Sequence, residues 1–134
     1  ASSHTLPRLY EPMYLDRQAE HHPSESKLLR APLFAIDEEG LHARLSFKLI
    51  RKGYELANEP MDQRLSDSLA ALHATLERED LCIQYRLERG DIQFINNHWG
   101  AHARSAFADS AGSTQRRLLV RMWLRASGQE TYDG

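Results

Sequence analysis

The sequence predicts a mainly β domain with helices, of the sandwich or jelly-roll type, on three observations. Apolar and polar residues alternate in several short runs bounded by turn signals; one leucine stripe at helical spacing stands among them; and no helix follows each strand, as a parallel α/β sheet requires. The chain has 134 residues, 41% hydrophobic and 27% charged, which is the composition of one soluble globular domain and too short for two.

The elements follow in order. Residues 1–27 read as an irregular surface segment, because Pro12, Pro23 and the pair His21-His22 interrupt it and no period of 2 or 3.6 persists. Pro32 to Ile36 runs into the turn cluster Asp37-Glu38-Glu39-Gly40, and Leu41 to Ile50 carries β-like material with Arg44 and Lys48 between apolar positions, which together predict a short hairpin. Asn58 is a good N-cap and Pro60 follows it; Leu65, Leu69, Leu72 and Leu76 then recur at helical spacing up to Glu79. That stripe is expected to pack on a sheet. Leu81, Ile83, Tyr85 and Leu87 alternate with polar residues, and the turn Arg89-Gly90-Asp91 leads into Ile92–Ile95, giving two antiparallel strands. A third short strand is expected near Gly100–Arg104 and a fourth over Arg116–Arg125, separated by the Ser-, Gly- and Ala-rich loop Ala108–Thr114. Residues 126–134 read as a tail.

Several function classes are excluded by composition. A formal charge of −2 with scattered arginines supplies no basic stripe for a phosphate backbone, so nucleic acid is not an expected partner. No apolar run approaches the roughly 20 residues that span a bilayer, and Ala1–Pro7 holds no apolar secretory core, so a soluble, cytoplasmic protein without a membrane partner is expected. The lone Cys82 has no internal disulfide partner and reads as a structural thiol. Because the chain starts with Ala, it reads as processed or as internal to a longer precursor.

The last strand carries the most chemistry. Leu118, Val120, Met122 and Leu124 fall on one face, while Arg117, Leu119, Arg121 and Trp123 share the other, with the two guanidiniums about 13 Å apart along a regular strand. Arginines in water on an amphipathic strand are the bland reading. Leu119 and Trp123 interleave with them, however, and a half-buried arginine face is a natural seat for a carboxylate, which a planar guanidinium holds bidentately. His98 and His102 have the i, i+4 spacing of helical zinc sites, yet Gly100 and the β-rich flanks argue against a helix. A lone strand histidine is more often structural than ligating.

The ordered stretch Arg89-Gly90-Asp91-Ile92-Gln93-Phe94-Ile95-Asn96-Asn97, His102-Ala103-Arg104, Phe107, Asp109, Gln115-Arg116-Arg117-Leu118-Leu119 and Arg121-Met122-Trp123-Leu124 resembles the C-terminal signature of TauD/TfdA-like dioxygenases. Pro32-Leu33-Phe34, Gly40-Leu41 and Ala43-Arg44 resemble the family's middle region, so the likeness covers residues 28–125. The resemblance implies a double-stranded β-helix (jelly roll, clavaminate synthase-like), of which residues 1–134 would be the C-terminal portion. It implies an Fe(II)- and 2-oxoglutarate-dependent dioxygenase that couples decarboxylation of 2-oxoglutarate, to succinate and carbon dioxide, to hydroxylation of a small-molecule substrate. By the same resemblance His102 is the distal iron ligand, Arg117 clamps the distal carboxylate of 2-oxoglutarate, Arg121 is a second co-substrate or substrate contact, and Asn97 faces the substrate. A facial set of two histidines and one carboxylate leaves open positions for the 2-oxo acid and dioxygen.

The family's His-x-Asp/Glu pair has no counterpart, since no histidine is followed two positions later by an acid. One imidazole does not hold Fe(II) against water. An N-terminal half of the same enzyme, as a preceding segment or second chain, is therefore the expected partner, with a homo-oligomer left open. Two alternatives remain: a degenerate jelly-roll binding or accessory protein lacking the iron centre, and a structural module whose arginine face docks an acidic partner.

Overall fold

The computed structural model describes residues 5–18, 23–38, 40–96, 100–104, 119–122 and 124. It begins with a one-turn helix α1 (Thr5–Arg8), followed by strands β1 (Met13–Asp16) and β2 (Leu28–Ala31). These pair antiparallel, with Met13 opposite Ala31 and Asp16 opposite Leu28. The expectation of an irregular surface segment over residues 1–27 is thus corrected: Met13 and Leu15 point inward, as strand alternation directs, and both are buried. The intervening prolines and histidines hid a pair of four-residue strands too short to show a period. Asp16 is buried beside them, its carboxylate accepting the Gln18 N–H at 2.7 Å with Lys27 Nζ 3.7 Å away.

A second antiparallel pair joins β3 (Phe34–Asp37) to β4 (Gly40–Ala43) in the register Phe34 to Ala43 and Asp37 to Gly40, so the predicted hairpin is present. Gly40 closes the turn at φ 117°, a conformation that L side chains rarely adopt. The β-like reading of Leu41–Ile50 holds only to Ala43. From Phe47 to Ala57 the chain is helix α2. Gly53 lets α2 lie directly on β1: a Cβ there would meet the carbonyl carbon of Tyr14 at 2.5 Å and the Leu15 nitrogen at 2.6 Å. Asn58, expected as an N-cap, instead ends α2 in the left-handed conformation at φ 52°, which asparagine tolerates.

Helix α3 (Gln63–Leu76) starts at Asp62, whose carboxylate accepts the Leu65 N–H at 2.7 Å. Leu65 and Leu69 are buried, and Leu72 packs at the margin of the core. The stripe does not lie on a sheet as expected; α3 packs on α1, and its leucines join a mixed core of Leu9, Met13, Leu15, Ala31, Leu33 and Ile50. Among the described residues, every buried core residue lies in this N-terminal part of the chain.

After a 3₁₀ turn at Glu79–Leu81 the described residues form no helix or strand. The turn at Arg89-Gly90 is present, with the Asp91 N–H donating to the Glu88 carbonyl and Gly90 at φ 98°. The ladders predicted beside it are absent from the described residues. Ile83, Ile92 and Phe94 are 91%, 80% and 79% exposed, so neither face of the alternating run is covered, and isolated arms lack the burial that stabilises a hairpin in water. Val120, Met122 and Leu124, three of the residues assigned to one face of the last strand, are exposed in the same way. The double-stranded β-helix expected from the resemblance is not assembled among the described residues, whose strands form two two-stranded sheets.

Candidate functional site

The structure distributes the predicted site residues rather than gathering them. His102 lies in the irregular stretch 100–104 and is exposed. The physical reason is that no covering layer forms around this stretch among the described residues. Arg121 is exposed too, and both it and Arg104 engage other groups. Arg117 and Asn97 lie outside the described residues.

An iron site requires three protein donors converging on one point. Among the described residues no group of three His, Cys, Asp or Glu side chains is placed to hold a metal. These residues alone therefore do not fit the ion; His102 offers a single imidazole donor. Cys82 is exposed, with its Sγ 3.0 Å from the Leu76 carbonyl oxygen.

Three polar clusters stand out among the described residues of the N-terminal part. Arg8, with only 8% of its side chain exposed, donates to Asp62 at 2.9 Å, and Glu11 stands 3.7 Å from its Nε. Arg64 closes the network on the other oxygen of Glu11 at 2.9 Å. The hydrogen bond from Arg8 holds the Asp62 carboxyl below the usual carboxylate range, helped by the Leu65 N–H and by the charges of Arg8 and Arg64 against the opposing effect of burial. Burial pulls the Arg8 guanidinium down, but Asp62 and its neighbours leave it raised overall. The network joins α1 to the start of α3 and is a packing device.

In the second cluster the Tyr14 hydroxyl meets Glu59 at 3.0 Å, which raises the phenol's pKa. Arg30 lies over the Tyr14 ring at 5.2 Å, and Tyr54 meets that ring edge-on. The third is the exposed pair His42 and Asp37, 2.7 Å apart across the hairpin. None pairs a nucleophile with a base inside a cavity.

Reading Leu41–Ile50 as strand concealed one further feature. Lys48, Arg51 and Lys52 stand at i, i+3 and i+4 on α2 and line a cleft with Phe47, Glu55 and His73. Only a window reaching Ala57 shows that spacing as helical. The Arg8–Asp62 pair, separated by 54 residues, left no local signal beyond the capping character of Asp62.

A family model described as Taurine catabolism dioxygenase TauD, TfdA family matches residues 3–123. The match takes in β1, β2 and α2, elements that the residue pattern did not disclose. No curated protein matches the chain.

Proposed function

We propose, from the premise that this chain belongs to the taurine catabolism dioxygenase TauD, TfdA family, that it supplies the distal histidine and co-substrate arginine of an Fe(II)- and 2-oxoglutarate-dependent dioxygenase. The family's activity is dioxygenation dependent on Fe(II) and 2-oxoglutarate, on a double-stranded β-helix. The single observation that carries the reading is the family match across residues 3–123, which includes both His102 and Arg117.

The bound iron would supply activation of dioxygen and oxidative decarboxylation of the 2-oxo acid. His102 would present one neutral ring nitrogen to it. Arg117 would bind the far carboxylate of 2-oxoglutarate through two parallel N–H···O bonds, fixing the orientation of the co-substrate. Arg121, two pleats further along the same face, would hold a second acidic group, and Asn97 would hydrogen-bond the small-molecule substrate.

Since no His-x-Asp/Glu occurs in the chain, the remaining donors belong to another polypeptide segment, the N-terminal half of the enzyme. The uncovered alternating residues Ile83, Tyr85, Ile92 and Phe94 support this, because strands of that pattern are stabilised by a facing layer and ladder partners. The missing pair also favours a second reading, a non-catalytic scaffold that binds 2-oxoglutarate or another acid without turning it over.

Calorimetric titration of 2-oxoglutarate into the assembled protein, wild type and Arg117→Gln, tests the assignment. Losing a charge-assisted bidentate contact of roughly 1.5–3 kcal/mol weakens co-substrate binding about ten- to a hundredfold. If Arg117→Gln binds like wild type while Arg121→Gln does not, the two roles are exchanged; if neither matters, the dioxygenase reading of this face is wrong.

A further inference from the structure

We propose that the cleft between α2 and α3 is a binding site for a compact, multiply charged anion of phosphate or diphosphate chemistry carried on a small molecule. The cleft has a volume of about 420 Å³ and is lined by Phe47, Lys48, Arg51, Lys52, Glu55 and His73. Elsewhere in the fold Arg8, Arg17, Lys27, Arg64 and Arg78 each pair with a carboxylate. Lys48, Arg51 and Lys52 have no such partner among the described residues. Glu55 is within helical reach of both Arg51 and Lys52 and still pairs with neither, so the cations stay open to a ligand.

Three positive charges without ion-pair partners on one exposed stretch of α2, offset in the cleft by Glu55 alone, concentrate positive potential in a chain whose formal net charge is −2. Lys48 and Lys52 are four residues apart, about 6 Å of helix rise, which matches the span of a phosphate or diphosphate group. Glu55 bounds the positive region toward the C-terminal end of α2 and so disfavours a long polyanion. Phe47, at the start of α2, and His73 of α3 complete the lining, their rings 5.2 Å apart and tilted by 60°. His73 Nδ1 is 3.3 Å from Glu77, the C-cap residue of α3. A short row of three cations bounded by Glu55 and edged by two rings suits a phosphorylated small molecule better than an extended anionic membrane surface.

The test is calorimetric titration of inorganic pyrophosphate into the full chain at low ionic strength. It compares wild type, Lys48→Gln/Lys52→Gln, Arg51→Gln, and the control Arg86→Gln/Arg89→Gln, which removes equal charge from the extended segment. Glutamine keeps good helix propensity at exposed positions, and far-UV circular dichroism checks that α2 survives. Saturable binding is expected in wild type and control, about fivefold weaker in Arg51→Gln, at least tenfold weaker in the double lysine variant, and weaker for all at raised salt. No saturable binding in wild type, or equal loss in the control, overturns the proposal. So does binding of wild type to phosphatidylserine vesicles that pyrophosphate does not displace.

Discussion

Replacing Gly53 with Ala asks directly whether α2 rests on β1. In an exposed helix interior the change would stabilise by about 1 kcal/mol, because alanine loses less backbone freedom than glycine on folding. Here the added Cβ would sit 2.5 Å from the Tyr14 carbonyl carbon and 2.6 Å from both the Tyr14 oxygen and the Leu15 nitrogen. All three are backbone atoms of a paired strand and cannot swing aside. Relief requires α2 to lift from β1, which loosens Met13, Leu15 and Ile50 in the core. Overpacking of this kind costs about 3 kcal/mol at the upper end of its usual range, so the net effect is a destabilisation of about 2 kcal/mol. For an ordered unit of this size that lowers Tm by roughly 8–16 °C. Thermal denaturation followed by circular dichroism at 222 nm reads it, with Lys52→Ala on the exposed side of the same helix as reference. The reasoning is refuted if Gly53→Ala raises Tm, the behaviour of a helical glycine facing solvent.

The remaining predictions concern charge, core and uncovered strands. Asp62→Ala removes the cap of α3 and the closest partner of the buried Arg8, and should destabilise by about 2–4 kcal/mol in a urea titration. Because the folded-state pKa of Asp62 is depressed, its contribution is present above the unfolded value near 4 and fades as pH falls through the folded one; the wild type should lose stability below about pH 4 more steeply than Asp62→Asn. Leu65→Ala, at a site with 0% exposure, should cost about 2–5 kcal/mol, whereas Ile83→Gln and Ile92→Gln should shift stability by no more than about 0.5 kcal/mol in this chain alone. A large effect of either isoleucine substitution would mean that those arms are already buried.

The parts of the fold visible in the sequence are those written in local pattern. The four leucines of α3 repeat at helical spacing, and the hairpin over residues 34–43 has its turn residues in place. Helix α2 was hidden because Leu45, Phe47 and Leu49 alternate like a strand; the helical repeat Phe47, Ile50 and Tyr54 appears only over a longer window. The αL conformation of Asn58 shows why a residue favoured at both helix ends gives an ambiguous boundary. Strands β1 and β2 have four residues each and are held by α2 and by Leu33, which no local rule reveals.

The candidate site was legible only through order and identity along the chain. The roles proposed for His102 and Arg117 rest on the signature they stand in; the family match over residues 3–123 spans both positions, whereas by spacing alone the histidine is a bland strand residue. The runs at 81–95 and 116–125 alternate with the period of strands. Ile83, Ile92, Phe94, Val120 and Met122 are nevertheless uncovered, because period 2 specifies which residues would share a face and not what would lie against it.

Conversion of 2-oxoglutarate to succinate, measured by mass spectrometry on the protein with everything that co-purifies, supplied with Fe(II) and dioxygen, tests the central claim most directly. Conversion is expected in the wild type, with a loss of more than about a hundredfold in His102→Ala, since removing a direct ligand exceeds the effect of removing its supporting contacts. Equal conversion by the two proteins, or none by the wild type with its partner segment present, would contradict it.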